Sequence, residues 1–513
     1  MEQKNWVRVV FRRRLLIITL LLIQIFVIIA LVISTSRAYR FVDLLLYWIS
    51  IIVSLYIMNK QEKSAYKIIW IFLILLFPVF GGLFYVIFHT QTNPRKMQKK
   101  TEDLERRYKP LYFLPGNFLP LLKQQGLDSE PLAHYLHEHA GYPVYTHTKS
   151  VYFDSGESFF NRVLIELEKA EKYIFLEFFI LRSGVVFDSI LEILERKAAA
   201  GIDVRIIYDD LGNFTSLPAN YRETLKKKGI RSTVFNPFKP VLSSLQNNRD
   251  HRKIVCIDGK TAFTGGMNLA DEYINAKERF GHWKDAAIMV EGMAAWSFAL
   301  IFLQMWNGQD QRVYDDPQSF YPWKQQTCGI EDDGYVQPYA DSPLDSENIG
   351  EHVYIKIINN AKDYVYINTP YLVVDDDLIS ALSIAAKSGV DVRIVTPHRW
   401  DKWYVAVVSR SYYRQLILSG VKIYEYTQGF NHSKTFVSDD RTATVGTTNL
   451  DFRSLYLHFE CGVLLLESET VKTVRDDFNN TLPLCHEITL ADCARNAPQR
   501  IFQDLLRLFA PLM

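Results

Sequence analysis

Apolar residues concentrate in three runs near the N-terminus of the chain. The runs cover about residues 15–34, 41–58 and 68–88, and each is close to the length that crosses a bilayer as a helix. The first run is too long for a signal peptide and no small-residue cleavage site follows it. Three core helices, all without polar faces, would be unusual. The pattern therefore predicts transmembrane helices within residues 1–90.

Basic residues flank this apolar region on both sides. Five precede it and seven follow it, in a stretch (91–149) predicted to be a basic, membrane-proximal linker: Lys4, Arg8, Arg12, Arg13 and Arg14, then Arg95, Lys96, Lys99, Lys100, Arg106, Arg107 and Lys109. Both groups favour the cytoplasmic side of a membrane, whereas three spans would separate them. A first segment lying in the interface before a two-helix hairpin would resolve this, so two and three spans both remain open.

Beyond residue 150, short apolar strands alternate with helices, and the pattern occurs twice. Strands at 173–180 and 364–367 each precede a helix, predicted at 191–200 and 378–387, and then the matching segments 201–207 and 389–395. Strands that alternate with helices indicate α/β domains whose sheets are covered on both faces. We predict two such domains, 150–309 and 347–513, joined by a polar, Pro-rich linker at 310–346.

The C-terminal tail, 500–513, has the pattern of an amphipathic helix. Five apolar residues fall on one helical face: Ile501, Phe502, Leu505, Leu506 and Phe509. We expect this face to pack on the core, with a helix on the membrane surface as the alternative.

One group of polar residues occurs in both domains with the same spacing. Each copy contains His, any residue, Lys, four residues and Asp, followed by a glycine turn and Asn: His251, Lys253, Asp258 and Asn268, then His432, Lys434, Asp439 and Asn449. The asparagine follows the histidine by 17 positions in both copies. A single His-x-Lys has little meaning, but the full pattern at identical spacing indicates an internal duplication.

The motif suits the chemistry of a phosphodiester. On a strand at 251–257, His251 and Lys253 share one face, while Asp258 has the opposite parity and is better placed to brace a turn. Glycines 265, 266 and 446 let the backbone approach closely. Two motifs together supply two ammonium groups and two amides for phosphate oxygens. One neutral histidine can attack phosphorus while the other serves as acid and base, so no metal is required.

A nucleophilic histidine benefits from a carboxylate on its other ring nitrogen. The candidates are Asp285, 34 residues after His251, and Glu460, 28 residues after His432. The remaining candidates among the histidines are expected to be packing or surface residues: His282, His398 and His458.

Composition excludes some classes of protein. A net charge of +1 in 513 residues gives no global attraction to nucleic acid. The five scattered cysteines, Cys256, Cys328, Cys461, Cys485 and Cys493, have neither disulfide-framework nor zinc-site spacing.

At the duplicated motif the chain resembles the phospholipase D superfamily and, within it, the bacterial cardiolipin synthase family. The motif carries the first resemblance. The second is carried by the apolar N-terminal segments and by flanking sequences: FPVFGG at 77–82, FLEFF at 175–179, Asn247 and Arg249, GMNLADEY at 266–273, NTPY at 368–371 and VGTTNLDFRS at 445–454.

This resemblance implies two tandem phospholipase D-like domains with pseudo-two-fold symmetry, preceded by transmembrane helices, in a multi-pass protein of the bacterial cell membrane with its catalytic part at the cytoplasmic face. It implies that two phosphatidylglycerol molecules become cardiolipin and glycerol through a phosphohistidine, without a cofactor. It also implies residue roles: His251 as nucleophile, His432 as acid and base, Lys253, Lys434, Asn268 and Asn449 on phosphate, and Asp258 and Asp439 as members of the catalytic motif.

Several alternatives remain open at this point. A phospholipase D or a phosphatidylserine synthase would share both motifs and differ in the acceptor. A nuclease of the superfamily would show a basic groove without membrane segments, and a non-catalytic scaffold would have lost a His or Lys. The expected partners are therefore membrane phosphatidylglycerol and cardiolipin rather than nucleic acid. The oligomeric state is left open, a homodimer being one option.

Overall fold

The structure is a computed structural model that describes residues 37–77, 81–82, 85–86, 94–218, 220–238, 244–309, 315–323, 330, 333–345 and 347–513. The chain divides into two compact units. One contains the residues up to Arg95 together with 238–247 and 512, and the other contains Lys96–Pro237 and Asn248–Pro511. The apolar run predicted at 15–34 lies outside the described residues.

The first unit contains two apolar helices, Arg37–Asn59 and Ser64–Leu76. Ile57, Ile74 and Tyr85 form its small buried cluster. Large apolar side chains on these helices are exposed, for example Phe41 (69%) and Leu75 (68%). No helix within the described ranges is both long enough and apolar enough to cross a membrane. The transmembrane helices stay a prediction.

The second unit combines two sheets with helices on their faces. Its first described part, within the stretch predicted as a linker, is helical and packed, since the Trp296 indole donates to the carbonyl oxygen of Leu111 (2.8 Å). The helical segments from residue 94 on are Pro94–Tyr112, Leu119–Gln124, Glu130–His134, Tyr135–His139, Gly156–Leu167, Val185–Ala199, Asp210–Asn213, Tyr221–Lys227, Ser244–Asn247, Asp271–Ile274, Ala295–Gln309, Pro317–Phe320, Ile349–Asn360, Asp376–Lys387, Trp403–Leu418, Phe452–Tyr456, Glu469–Thr481, Leu482–Leu484, Ala497–Arg507 and Ala510–Leu512. Of these, Ser244–Asn247 belongs to the first unit.

Within the described residues the first sheet has seven strands. In spatial order they are Thr148–Phe153, Ala287–Gly292, Thr261–Gly265, Lys253–Ile257, Tyr173–Phe178, Asp203–Asp209 and Arg231–Phe235. The last three are mutually parallel and the other pairs are antiparallel. Every residue of Tyr173–Phe178 is buried, which agrees with a strand covered on both faces.

The second sheet repeats this order and these directions. Its strands are Tyr335–Asp341, His458–Leu466, Thr442–Gly446, Thr435–Ser438, Tyr364–Asn368, Asp391–Pro397 and Lys422–Tyr426, with Cys485–Ile488 added at the edge. The predicted duplication is therefore confirmed at the level of the fold. The predicted linker is too long, because Tyr335–Asp341 pairs along its whole length with residues 460–466 and belongs to the second domain.

The C-terminal tail departs from the expected core packing. Residues Ala497–Arg507 form the predicted helix, which begins with a capping box between Asn496 and Gln499. Ile501, Phe502 and Leu505 are 61%, 49% and 50% exposed, so the core-packing prediction is wrong for them.

Candidate active site

Each motif histidine follows a short strand that pairs with the other half of the chain. Arg249–Asp250 lies parallel to His458–Phe459, and the amide of His251 donates to the carbonyl oxygen of Phe459 (3.0 Å). In the second half, Gly429–Asn431 lies parallel to His282–Lys284, and the amide of His432 donates to the carbonyl oxygen of Lys284 (2.7 Å).

These contacts correct the continuous strand considered for 251–257. The backbone of each histidine bonds to the opposite domain, so the sheet strand begins only at Lys253, and at Thr435 in the second half. The lysines still turn toward their own histidines. Lys253 Nζ donates to the backbone oxygen of His251 (2.5 Å), and Lys434 bonds to that of His432 in the same way.

The two short ladders also position a carboxylate beside each motif histidine. Nδ1 of His251 lies 2.9 and 3.1 Å from the two carboxylate oxygens of Glu460, and Nδ1 of His432 lies 2.7 Å from Oδ2 of Asp285. The sequence placed each carboxylate by its distance from the histidine of its own half. The structure instead pairs each one with the motif histidine of the other half, so Glu460 faces His251 and Asp285 faces His432.

Electrostatics define the protonation of these pairs. Burial lowers the pKa of both imidazoles, and the facing carboxylates oppose this effect. Burial alone would raise the pKa of Glu460 and Asp285, but the charge and hydrogen bond of the facing histidine hold each below its usual range. An ionised carboxylate keeps the imidazole proton on Nδ1, which leaves the lone pair on Nε2 for chemistry.

The two motif lysines, one from each domain, interact electrostatically. Burial lowers the pKa of Lys253 to about 8 and that of Lys434 to about 7, while Glu460 and Asp285 oppose the shift for both. The charge of Lys253 also lowers the pKa of Lys434 across the interface. The pKa values of both buried lysines therefore lie close to neutral pH. Such a site favours an anionic ligand, because the charge of the ligand stabilises both ammonium groups.

The asparagines and glycines shape the surroundings of these groups. Asn268 accepts from the amide of Ile180 (3.0 Å) and donates to the Tyr273 hydroxyl (2.7 Å), while Asn449 donates to Asp451 (3.0 Å). Each amide NH₂ retains a second hydrogen for a ligand. Gly266 allows a close approach, since a Cβ there would lie 2.0 Å from Oδ1 of Asp285.

The motif aspartates do not contact the histidines. Asp258 accepts from the amides of Glu171, Lys172 and Tyr173 (2.7–2.8 Å). Asp439 accepts in the same way from the amides of residues 362–364 (2.8–3.0 Å). Both aspartates have a left-handed φ of 53°. This geometry matches the bracing of a turn, as the parity indicated, rather than the direct catalytic role that the motif implies.

Some site residues escaped the sequence reasoning. Thr447 donates to Glu460 and accepts from the amide of Cys461 (3.0 Å), which fixes the carboxylate. His458, expected to be a packing or surface residue, lies with Nδ1 3.8 Å from Glu460 and its ring 5.5 Å from that of His251. Its place two residues before a candidate carboxylate on an alternating strand was the available signal.

Aromatic rings enclose both histidines. Phe179 packs edge-on to His251 at 5.3 Å between centroids, and Trp283, Phe430 and Tyr273 surround His432 at 5.2–5.7 Å. Both histidines are buried, and electrostatic interactions are stronger in such surroundings than in water.

The donor set could also hold a cation at one point. His251, His458 and Glu460 offer ligand atoms within 4.8 Å of one another. The same is true of Glu351, Asp375 and Asp377 among the described residues.

Known proteins share this architecture. Two segments, 163–291 and 354–482, match the family model described as cardiolipin synthase, PLD-like domain. Residues 45–88 match the model described as phospholipase D-nuclease N-terminal.

The similarity extends over most of the chain. A cardiolipin synthase of Halalkalibacterium halodurans is 34% identical over 470 residues, which cover 90% of this chain and 92% of the relative. An uncharacterized protein of Streptococcus mutans serotype c is 42% identical over 461 residues, 90% of this chain and 99% of the relative. Among solved structures, phosphatidylserine synthase from Haemophilus influenzae Rd KW20 superimposes with a TM-score of 0.55 at 14% identity, covering 75% of this chain and 98% of that one. This last likeness concerns the fold alone.

Proposed function

The chain belongs to the cardiolipin synthase family of phospholipase D-like enzymes and is a phosphatidyltransferase, and we propose that it converts two phosphatidylglycerol molecules into cardiolipin and glycerol through a phosphohistidine. The observation that carries the proposed mechanism is the pair of His–carboxylate contacts exchanged between the two domains. Two equivalent imidazoles in one site provide for the two proton transfers that a transfer reaction needs.

In the first step, Nε2 of His251 attacks phosphorus of the donor lipid. Glu460 holds the Nδ1 proton and stabilises the positive charge that develops on the ring. The bond from phosphorus to the glycerol oxygen breaks, and His432 donates a proton from Nε2 to that oxygen. Glycerol leaves, and the phosphatidyl group stays on His251.

The protonation of His432 depends on the substrate. Burial and the charges of Lys434 and Lys253 lower its pKa, and Asp285 opposes them. A bound phosphodiester adds a negative charge that offsets both lysines, so the pKa of His432 rises when the donor lipid is present. The acid is thus charged when a leaving group is there to receive its proton.

In the second step, the hydroxyl of another phosphatidylglycerol gives its proton to His432 and attacks phosphorus. The N–P bond breaks, cardiolipin forms, and both histidines return to their starting states. Lys253 and Lys434, with Asn268 and Asn449, hold the non-bridging oxygens throughout.

The membrane placement of the enzyme belongs to this proposal. The exposed apolar side chains of the helix Arg37–Asn59 support an anchor in the bacterial cell membrane, with the catalytic unit at the cytoplasmic face. Both lipids then reach the site from the bilayer, which favours a lipid acceptor over water. Cysteine substitutions in the exposed turns, tested with a membrane-impermeant label in cells and in lysates, would establish the topology.

The test of the reaction uses the purified full-length protein and phosphatidylglycerol vesicles with an isotope label in the headgroup glycerol. We expect labelled glycerol and cardiolipin in equal amounts. Phosphatidic acid without cardiolipin would show a hydrolase instead, and would contradict the transferase proposal.

A further inference from the structure

The helix Ala497–Arg507 contacts the neighbouring helix Trp403–Leu418 through polar side chains. Gln503 donates to the carbonyl oxygen of Val407 (2.9 Å), and the guanidinium of Arg507 lies 4.3 Å above the ring of Tyr412. These polar side chains attach it to the helix Trp403–Leu418. Ile501, Phe502 and Leu505 on the same helix stay 61%, 49% and 50% exposed, whereas a helix that packs on a core buries its apolar side chains.

A second element extends this apolar surface. Trp403, 65% exposed, stacks on Phe502 with ring centroids 6.5 Å apart and planes 8° from parallel. We call the four residues Trp403, Ile501, Phe502 and Leu505 the C-terminal apolar face. Exposed apolar residues that are contiguous, rather than scattered, mark an interaction surface.

The two helices that carry the face have a net positive charge. The two helices that form it contain four arginines and one carboxylate: Arg410, Arg414, Arg500, Arg507 and Asp504. Arg410 pairs with Glu425, which still leaves an excess of cations over anions on the pair of helices. A surface that combines apolar residues, a tryptophan and arginines complements anionic lipid headgroups above acyl chains.

The face is continuous with the wall of the active site. Lys402, next to Trp403, donates to the hydroxyl of Tyr371 (3.3 Å). The ring of Tyr371 contacts that of Phe430 at 6.4 Å, and Phe430 stacks on His432 at 5.7 Å. One hydrogen bond and two ring contacts therefore connect Lys402, at the edge of the apolar face, to a catalytic imidazole.

We propose that the C-terminal apolar face enters the headgroup region of an anionic bilayer and holds the active site at the surface that delivers its lipid substrates. This inference rests on the proposed function, because the site needs lipid phosphodiesters. A separate anchor would keep the enzyme at the membrane, whereas this face sets the distance and orientation of the site relative to the headgroups.

The direct test measures where Trp403 resides. Full-length protein is reconstituted in phosphatidylglycerol vesicles with brominated acyl chains, and the emission of the Trp403→Phe variant is subtracted from that of the wild type. We expect the bromolipid to quench the Trp403 signal and aqueous acrylamide to leave it. Quenching by acrylamide alone would place the face in water. Protection from both quenchers would place it against protein, such as a second copy of the chain. Either result overturns the proposal.

The functional test uses a matched control. The double substitution Ile501→Asp and Phe502→Asp is compared with Ile384→Asp, since Ile384 is 62% exposed on a different helix, Asp376–Lys387. Turnover of long-chain phosphatidylglycerol in vesicles should fall at least about fivefold in the double variant, while turnover of a dissolved short-chain phosphatidylglycerol stays within about twofold, because only the bilayer substrate needs the face.

The control variant should retain both activities. Equal losses on both substrates, no loss on vesicles, or the same loss in the control would each contradict the proposal. Failure of the proposed function is recognised separately, as a wild type that makes cardiolipin from neither substrate. The quenching measurement still reads the position of Trp403 in that case.

Discussion

Replacing Glu460 by Gln should impair His251, which lies in the other domain, and leave His432 intact. The substitution keeps the size of the side chain and removes its charge. Glu460 contacts Nδ1 of His251 at 2.9 and 3.1 Å and is fully buried, so solvent cannot replace the lost charge. The amide can also present its NH₂ group to the ring, which favours the wrong tautomer.

The size of the effect follows from the kind of contact. A hydrogen bond to a charged group contributes about 1.5–3 kcal/mol. At about 1.4 kcal/mol for each tenfold change, this predicts a loss of roughly 10- to 150-fold in the turnover of phosphatidylglycerol. Asp285→Asn should give a loss of similar size through His432, whose Nδ1 lies 2.7 Å from the carboxylate.

Two measurements separate this account from a pairing within each domain. Glycerol release gives the loss of activity. Carbethoxylation of the histidines, followed by peptide mass spectrometry, gives the reactivity of each imidazole. In Glu460→Gln the reactivity of His251 should change and that of His432 should not, and Asp285→Asn should give the reverse. If each substitution altered the histidine of its own domain, the exchanged pairing would be refuted.

Three further predictions concern the lysines and the backbone around the site. Burial lowers the pKa of Lys434 to about 7, so its positive charge is lost as the pH rises through that value. We therefore expect kcat/KM for phosphatidylglycerol to fall above about pH 7. The Lys434→Arg variant, whose side chain stays charged, should remain active at higher pH. Asp258→Asn should lower the free energy of unfolding, measured in urea, by about 1.5–3 kcal/mol without raising KM, and by more than Asp439→Asn, since the amides that Asp439 accepts from are more exposed. Gly266→Ala should reduce kcat at least about tenfold at unchanged secondary structure, because the new methyl group must displace Asp285; full activity in this variant would contradict the role of that carboxylate.

Local sequence patterns predicted much of the fold. The strand expected at 173–180 is observed at Tyr173–Phe178, and the helix expected at 378–387 at Asp376–Lys387. These elements follow from periodicity and composition, which act over a few residues. The strand Tyr335–Asp341 was not predicted, because it lies in a polar, Pro-rich stretch. It forms by pairing with residues more than a hundred positions away.

The composition of the site was also accessible, but its connections were not. Repetition singled out His251 and His432, and the need for a carboxylate singled out Asp285 and Glu460. Which carboxylate faces which histidine is decided by two ladders of two or three residues between the domains. Such ladders are too short to leave a periodic signal in the sequence.

The exposed C-terminal helix illustrates a further limit. Amphipathicity predicts that a helix has an apolar face and leaves open whether protein or lipid covers it. Here Gln503 and Arg507, on the polar side, contact the neighbouring helix while Ile501 and Leu505 stay exposed, which only the structure reveals.

The most direct test of the central claim is to trap the covalent intermediate. Full-length enzyme is mixed with phosphatidylglycerol that carries radioactive phosphorus, quenched at alkaline pH within one turnover, and digested for peptide mapping. The account predicts one acid-labile label per chain on the peptide that contains His251, and no label in the His251→Ala variant. A label on the peptide that contains His432, or turnover to cardiolipin without any label on histidine, would contradict it.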